Sequence, residues 1–360
     1  MIPQFNPYIG EEEANAAAKV IRSGWITAGE QVKEFERQIA KLCNVQYAVA
    51  CSNGTMALFM ALKSIGIGPG DEVIVPDFTF IASANAITLT GATPVFCDID
   101  HHTWQMDVNN AWSKITPKTK AIMPVHLYGQ SVDMKLIYNL CMGNILPSPG
   151  IQLIEDAAQG IGVTFMDQPV GGLGTVGCLS FYADKTITTG EGGMVLTNNE
   201  ASAKYCRMLA QQGRTNTGVY IHDMVGYNFR MTDIQAAIGL EQLKKLPYII
   251  QRKREIKALY RTELDDRVSF PAIDTRSNDV PFRVVVIVPD PVDLQAKLTD
   301  IQTRHVFYPL HLQPPYLQEG KFPHSIYAHA HGLALPSWVG LTDEQIKYIA
   351  KEVNRCAFQS

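Results

Sequence analysis

The sequence predicts an α/β protein, a large domain with a mostly parallel sheet flanked by helices and a smaller α+β C-terminal domain. Three observations carry this. Short apolar runs alternate with amphipathic segments across residues 47–197, the pattern of strands joined by helical crossovers. Those runs show little polar alternation, as strands covered on both faces require. From about residue 235 long helical segments take over, so the division is placed at 1–246 and 247–360. A chain of 360 residues is long for a single core, which fits two packed domains.

Residues 11–22 predict a helix whose acidic first turn and basic last turn suit the helix dipole. Residues 30–42 predict a second, with Val32, Phe35, Ile39 and Leu42 at helical spacing. Residues 47–51 read as a buried strand running into a helix that extends to Ile65. Gly68-Pro69-Gly70-Asp71 marks a turn, and 72–76 a strand. Residues 78–90 read as helix, then 94–98, 121–125 and 152–156 as strands. Residues 177–182 and 193–197 read as two strands joined by a loop that carries Lys185. Residues 234–246 and 248–265 read as two long helices. Beyond them 283–288 and 306–308 read as strands and 293–299 as a helix. Thr342 caps a closing amphipathic helix through Cys356.

Composition narrows the function. The net charge of −4 gives no basic footprint for nucleic acid. Lys244-Lys245 and Arg252-Lys253-Arg254 are the basic clusters, and they read as a solvated helix face. Seven cysteines, widely spaced and without a C-x-x-C pair, suit reduced, buried thiols better than a disulfide framework. With no H-E-x-x-H or Cys/His set, no metal is predicted. The N-terminal residues lack a basic, apolar leader pattern, and no apolar run approaches the roughly 20 residues that span a bilayer. A cytoplasmic protein with no membrane partner is the expectation.

Five stretches carry the chemistry. Ser52-Asn53-Gly54-Thr55 lies between a strand and a helix, where free N–H groups and the helix dipole favour a phosphate; an ordinary N-cap turn looks the same. Glu155-Asp156-Ala157-Ala158-Gln159 follows a strand at its C-terminal end, the edge where α/β sheets bind ligands. An acid there suits a protonated ring nitrogen, or simply caps a helix. Ser180 opens a stretch that reaches Lys185 and runs on to Gly190-Glu191-Gly192-Gly193. Apolar and small flanks disfavour the ammonium form of that lysine, and a neutral amine is what Schiff-base formation requires. Gly226-Tyr227-Asn228-Phe229-Arg230 suits anion or sugar recognition, or a packed loop. Pro309-Leu310-His311-Leu312-Gln313 presents a histidine that also reads as structural.

Taken in order, these motifs resemble the DegT/DnrJ/EryC1/StrS family. Its members are pyridoxal-phosphate (PLP) dependent sugar aminotransferases of the aspartate-aminotransferase-like fold, PLP fold type I. The likeness runs from Ser23-Gly24-Trp25-Ile26-Thr27 to Leu341-Thr342-Asp343-Glu344-Gln345. It implies that Lys185 bonds the cofactor and then moves protons, that Asp156 meets the pyridine nitrogen, and that Gln159 lies near the 3-hydroxyl. Gly54, Thr55 and Ser180 match the phosphate binders, and Phe80 the aromatic against the ring. Asn228 matches a phosphate contact given by a second subunit, so a homodimer with shared active sites is implied. Trp25, Thr27, Arg230 and His311 fall where the family contacts the sugar nucleotide.

The implied reaction moves the amino group of glutamate, leaving 2-oxoglutarate, to a nucleotide-linked keto-sugar. Residues 185–193 most resemble the perosamine-forming branch, which aminates GDP-4-keto-6-deoxymannose at C4. Relatives that use dTDP- or UDP-linked 4-keto-6-deoxyglucose are the alternative. Sugar dehydratases of this fold replace the lysine, which argues against a lyase. Two stretches depart from the family pattern: residues 140–150, and residues 300–304 near the expected sugar-nucleotide loop.

Overall fold

In the computed structural model, which describes residues 1–142, 150–215 and 220–358, the predicted alternation closes into a seven-stranded sheet, accompanied among the described residues by two three-stranded ones. The strands are β1 (Tyr47–Cys51), β2 (Glu72–Pro76), β3 (Thr93–Cys97), β4 (Thr119–Ile122), β5 (Gln152–Asp156), β6 (Thr164–Phe165), β7 (Gln168–Pro169), β8 (Val176–Ser180), β9 (Gly193–Thr197), β10 (Ser277–Asn278), β11 (Val284–Ile287), β12 (Arg304–His305) and β13 (Gly332–Leu335). The helices are α1 (Glu11–Ser23), α2 (Glu30–Leu42), α3 (Gly54–Ser64), α4 (Ala82–Leu89), α5 (Val108–Ser113), α6 (Met134–Met142), α7 (Glu200–Ala210), α8 (Asp233–Glu263), α9 (Pro291–Lys297), α10 (Pro323–His331) and α11 (Asp343–Cys356).

The main sheet has the order β1-β9-β8-β5-β4-β2-β3. Its β8-β5-β4-β2-β3 part is parallel, and β9 runs antiparallel to both β1 and β8. Fully covered strands such as Val73-Ile74-Val75 explain the unbroken apolar runs. Helix α3 is buried from Ala57 to Leu62, so it has no polar face. By contrast α2 buries Val32, Phe35 and Ile39 and keeps its charges outward except Glu36, which is buried and takes the Ala50 N–H and Arg207.

The second sheet, β11-β13-β12, is antiparallel and packs with α9 and α11 over its own core of Tyr260, Val284, Val286, Leu294, Ile346 and Val353. The proposed division after residue 246 falls inside α8, so both parts share that helix. The sequence reads two helices there because Pro247 interrupts the pattern. The structure has one. Proline removes a single ladder bond, and burial of Leu240, Leu246 and Ile249 in one core and Ile256 and Tyr260 in the other keeps the helix continuous.

Other boundaries shift for local reasons. The helix expected over 78–90 begins at Ala82, because Asp77 is tied to the 310–311 segment and Phe80 stands on the turn that precedes α4. The strand expected at 306–308 is Arg304–His305, since Phe307 leaves the ladder to stack on Tyr128. Of the departure at 140–150, residues 143–149 lie outside the described residues. All seven cysteines are free and buried, and burial pushes the Cys43 and Cys51 thiols up to about 12. Among the described residues no helix is long and apolar enough to cross a membrane.

Candidate active site

Parallel pairing of β5 with β8 sets Asp156 beside Cys178, so the acid and Ser180 emerge at the same edge of the sheet. The neighbouring acids of the 155–159 motif have opposite fates. Glu155 is fully buried and accepts N–H groups from Gly171 (2.7 Å), Leu173 (2.6 Å) and Gly174 (2.5 Å). His126 Nε2 lies 3.0 Å from it, completing a satisfied structural cluster. Asp156 points the other way, as alternation along a strand demands. It accepts hydrogen bonds from Ser83 Oγ (2.7 Å) and the Ala158 N–H (3.1 Å). Gln159 accepts the Tyr128 N–H at 2.7 Å. Tyr128 is held at φ 54°, a left-handed conformation uncommon for a tyrosine.

Helix α3 starts at Gly54 with Asn53 as its cap, and Asn53 takes the Met56 N–H at 2.9 Å. First-turn N–H groups have no intrahelical partner, so those of Gly54 and Thr55 remain for a ligand. The turn lies tight against β8: a Cβ at Gly54 would sit 2.8 Å from the Ser180 Cβ. A side chain at Gly193 would strike the Asn53 carbonyl. Glycine at these two positions brings backbone N–H groups and the Ser180 hydroxyl into one anion cradle.

Lys185 lies in the β8–β9 loop, which is pinned by Thr188 Oγ1 donating to the Phe181 carbonyl and by the Phe181 N–H donating to the Gly192 carbonyl. Its Nζ stands 4.7 Å from the centre of the Phe282 ring. Burial lowers the Lys185 pKa; Asp184 and Asp156 oppose that shift, and Arg283 and Arg304 reinforce it. The result favours a neutral, nucleophilic amine near an acid and an anion cradle, a donor set that fits PLP: an amine for its aldehyde, a carboxylate for its ring nitrogen, N–H and hydroxyl donors for its phosphate.

The remaining expected residues sit elsewhere. Phe80 is 57% exposed, its ring 6.0 Å from that of Phe307. Asn228 is exposed on a loop whose Phe229 carbonyl accepts the Ser52 N–H at 2.7 Å. Trp25, Thr27 and Arg230 line a broad groove of about 1390 Å³ together with Arg207 and Arg214; Lys185 is not part of that groove. His311, expected as a sugar contact, does not line that groove. It is 3% exposed, its Nδ1 lies 2.7 Å from Asp77 Oδ2, and its ring stacks on Phe322 at 4.4 Å. That is the structural histidine the Pro-fixed loop also allowed.

Sequence reasoning missed Ser83 and Tyr128, which support Asp156 and Gln159 from distant segments and belong to no motif. It also missed Phe282, Arg283 and Lys253 around Lys185. Only Asp184, adjacent to Lys185, left a signal.

The DegT/DnrJ/EryC1/StrS aminotransferase family model matches residues 7–354. The chain belongs to this family. It is therefore a PLP-dependent sugar aminotransferase of PLP fold type I. It is 42% identical to the GDP-perosamine synthase of Escherichia coli O157:H7, over 98% of each chain. It is 39% identical to the GDP-perosamine synthase of Vibrio cholerae, over 97% of each. Among solved structures, the PMP form of the putative sugar aminotransferase Spr1654 from Streptococcus pneumoniae superimposes with a TM-score of 0.93 at 29% identity, covering 99% of this chain and 98% of that one.

Proposed function

We propose that this aminotransferase moves the amino group of glutamate to C4 of GDP-4-keto-6-deoxymannose, giving GDP-perosamine and 2-oxoglutarate. The observation that carries the reading is the full-length likeness to two GDP-perosamine synthases, joined to a half-buried Lys185 that feels the charge of Asp156 and lies on the loop leaving Ser180. PLP, when bound, supplies an aldehyde for the amine and a ring that spreads the charge left by a departing proton.

The side chains divide the remaining work. Lys185 Nζ takes the α-proton of glutamate and later returns a proton at the sugar carbon that receives the amine. Asp156 holds the proton on the ring nitrogen, and its hydrogen bond from Ser83 keeps it aimed. Gly54, Thr55 and Ser180 hold the phosphate, Phe80 covers the ring and Gln159 stands by its hydroxyl. Asn228, exposed on its loop, reaches the phosphate of a second copy, so the enzyme works as a homodimer with shared sites. Trp25, Thr27 and Arg230 take the sugar nucleotide, with the Arg230 guanidinium suited to a diphosphate. The enzyme acts in the cytoplasm.

The test is a panel of GDP-, dTDP- and UDP-linked 4-keto-6-deoxy sugars with glutamate, read by product mass. The GDP-linked mannose derivative gains an amine and 2-oxoglutarate appears in equal amount. Amination of the dTDP- or UDP-sugars alone overturns the nucleotide assignment. A product that loses a hydroxyl without gaining nitrogen overturns the reaction class in favour of a dehydratase.

A further inference from the structure

The basic run Arg252-Lys253-Arg254 reads in the sequence as a solvated helix face, yet Lys253 is only 6% exposed. Its Nζ donates to the carbonyls of Phe282 (3.3 Å) and Ser337 (3.4 Å). An ammonium has three N–H donors, so one is left over. Lys253 lines a small cavity of about 30 Å³ together with Lys185, Asp184, Thr186, Gln4 and Arg283. Arg283 bonds both Asp184 Oδ2 and Gln4 Oε1 at 2.5 Å.

Three lining residues each carry a buried polar atom with no partner among the described residues: Gln4 Nε2, Asp184 Oδ1 and Thr186 Oγ1. Buried polar atoms in folded proteins are almost always satisfied. A buried water needs roughly 10–15 Å³ of such volume and two to four polar partners. This cavity has room for about two waters on that scale, and its unused donors and acceptors suit them.

We propose that Asp184, Arg283 and Lys253 are positioning residues for Lys185: with about two buried waters they form a charged floor beside its amine, and the charge of that floor decides how readily Lys185 gives and takes a proton. The inference rests on the reading of Lys185 as the catalytic amine.

The electrostatics run the same way. Asp184 opposes the burial-driven fall in the Lys185 pKa, and Arg283 deepens it. The same two groups act on Lys253, which burial brings down to about 8, with Arg283 adding and Asp184 opposing. The floor therefore gains or loses a charge close to neutral pH. Asp156 from β5, Arg304 from β12 and Tyr8 from the N-terminal segment complete the titratable and charged surroundings of the cavity and its lysine.

The test measures the amine directly. Full-length chain freed of PLP is labelled with acetic anhydride across a pH series, and the modification of Lys185 is read by peptide mass. Anhydride attacks only the neutral amine, so the midpoint reports the Lys185 pKa. Asp184→Asn lowers the midpoint by about half a unit or more, and Arg283→Gln raises it by a similar amount. The double variant returns to within about 0.3 units of the parent, because both charges leave together. Lys253→Met raises the midpoint by a smaller step.

In the PLP-loaded enzyme the acidic limb of the kcat/KM profile moves in the same directions, which loss of packing alone does not produce. Single variants that leave the midpoint within about 0.2 units, or shift it the same way, overturn the proposal. If a single variant does not fold, Lys253→Met decides, and an unmoved midpoint is again fatal. A crystal structure with a dry cavity also overturns it. The catalytic reading fails separately: borohydride would then not fix PLP to Lys185, whatever the midpoints do.

Discussion

The wall around Lys185 and the groove of Trp25, Thr27 and Arg230 are built by different means. The wall takes Asp156, Ser180 and Lys185 from stretches locked by strand pairing, with Asp156 beside Cys178 and Ser180 opposite Gly193. Its Asp156 is buried and already hydrogen-bonded, and Ser180 and Lys185 are half-buried. In the groove, Trp25 and Thr27 stand on the loop before α2 and Arg230 just before α8, while α1, α2, α7 and α8 line most of the rest. Trp25 there is 62% exposed, and its indole N–H donates to the nearby Ala28 carbonyl at 3.3 Å. Chemistry that must not vary is placed on the rigid sheet edge. In our reading, recognition that differs between substrates falls to the loop residues Trp25, Thr27 and Arg230. Substitutions in the wall should therefore stop turnover or unfold the chain, and those in the groove should weaken binding.

The largest effect is expected from Lys185→Ala. Turnover falls by more than about 10³-fold, because nucleophile and base are lost together. Borohydride reduction followed by peptide mapping should fix PLP to Lys185 in the parent and to no residue in the variant. Retained turnover would move the chemistry to another residue.

Glu155→Ala comes next and acts on stability. The carboxylate holds three backbone N–H groups and faces His126 with no water access, so removal leaves several buried donors unpaired. A loss of about 3–5 kcal/mol is expected, seen as an early denaturant midpoint. Turnover per folded molecule stays within about twofold. Asp156→Asn should do the reverse. The amide can still accept from Ser83, so the denaturant midpoint holds, while kcat falls about 10²- to 10³-fold as the negative charge behind the ring is lost. Equal behaviour of the two variants would erase the distinction between structural and chemical acid.

The wall was legible in the sequence and the groove less so, for a physical reason. Glu155-Asp156 and Ser180 sit at strand ends, where a run of apolar residues followed by a polar one marks the sheet edge, and Lys185 lies in the loop that leaves Ser180. Ser83, Tyr128 and Arg283 reach the same wall from far along the chain, and no local pattern announces a contact made only on folding. His311 was not legible as buried because Asp77, 234 positions away, holds its ring. The basic run at 252–254 failed because its helix is wedged between two cores, which buries Lys253 while Arg252 reaches Asp343 at the surface. Pro247 misled in the same way, since tertiary packing outweighs one missing bond.

Arg230→Ala tests the groove. We expect KM for the sugar nucleotide to rise about tenfold with kcat little changed, the signature of an interaction made equally in ground and transition states. A fall in kcat at constant KM would place Arg230 with the wall instead.

The smallest expected effect is the most discriminating. Ser83→Ala removes one 2.7 Å hydrogen bond to Asp156 and touches neither substrate nor, in our reading, cofactor. With one donor fewer, the carboxylate is less firmly aimed and its charged form less favoured. We expect kcat to fall about threefold, KM for glutamate to hold, and Ser83→Thr to restore most of the rate because its hydroxyl can occupy the same place. If Ser83→Ala were silent, Asp156 would be oriented by the Ala158 N–H and the strand alone, and the wall would owe its precision to the sheet rather than to distant side chains.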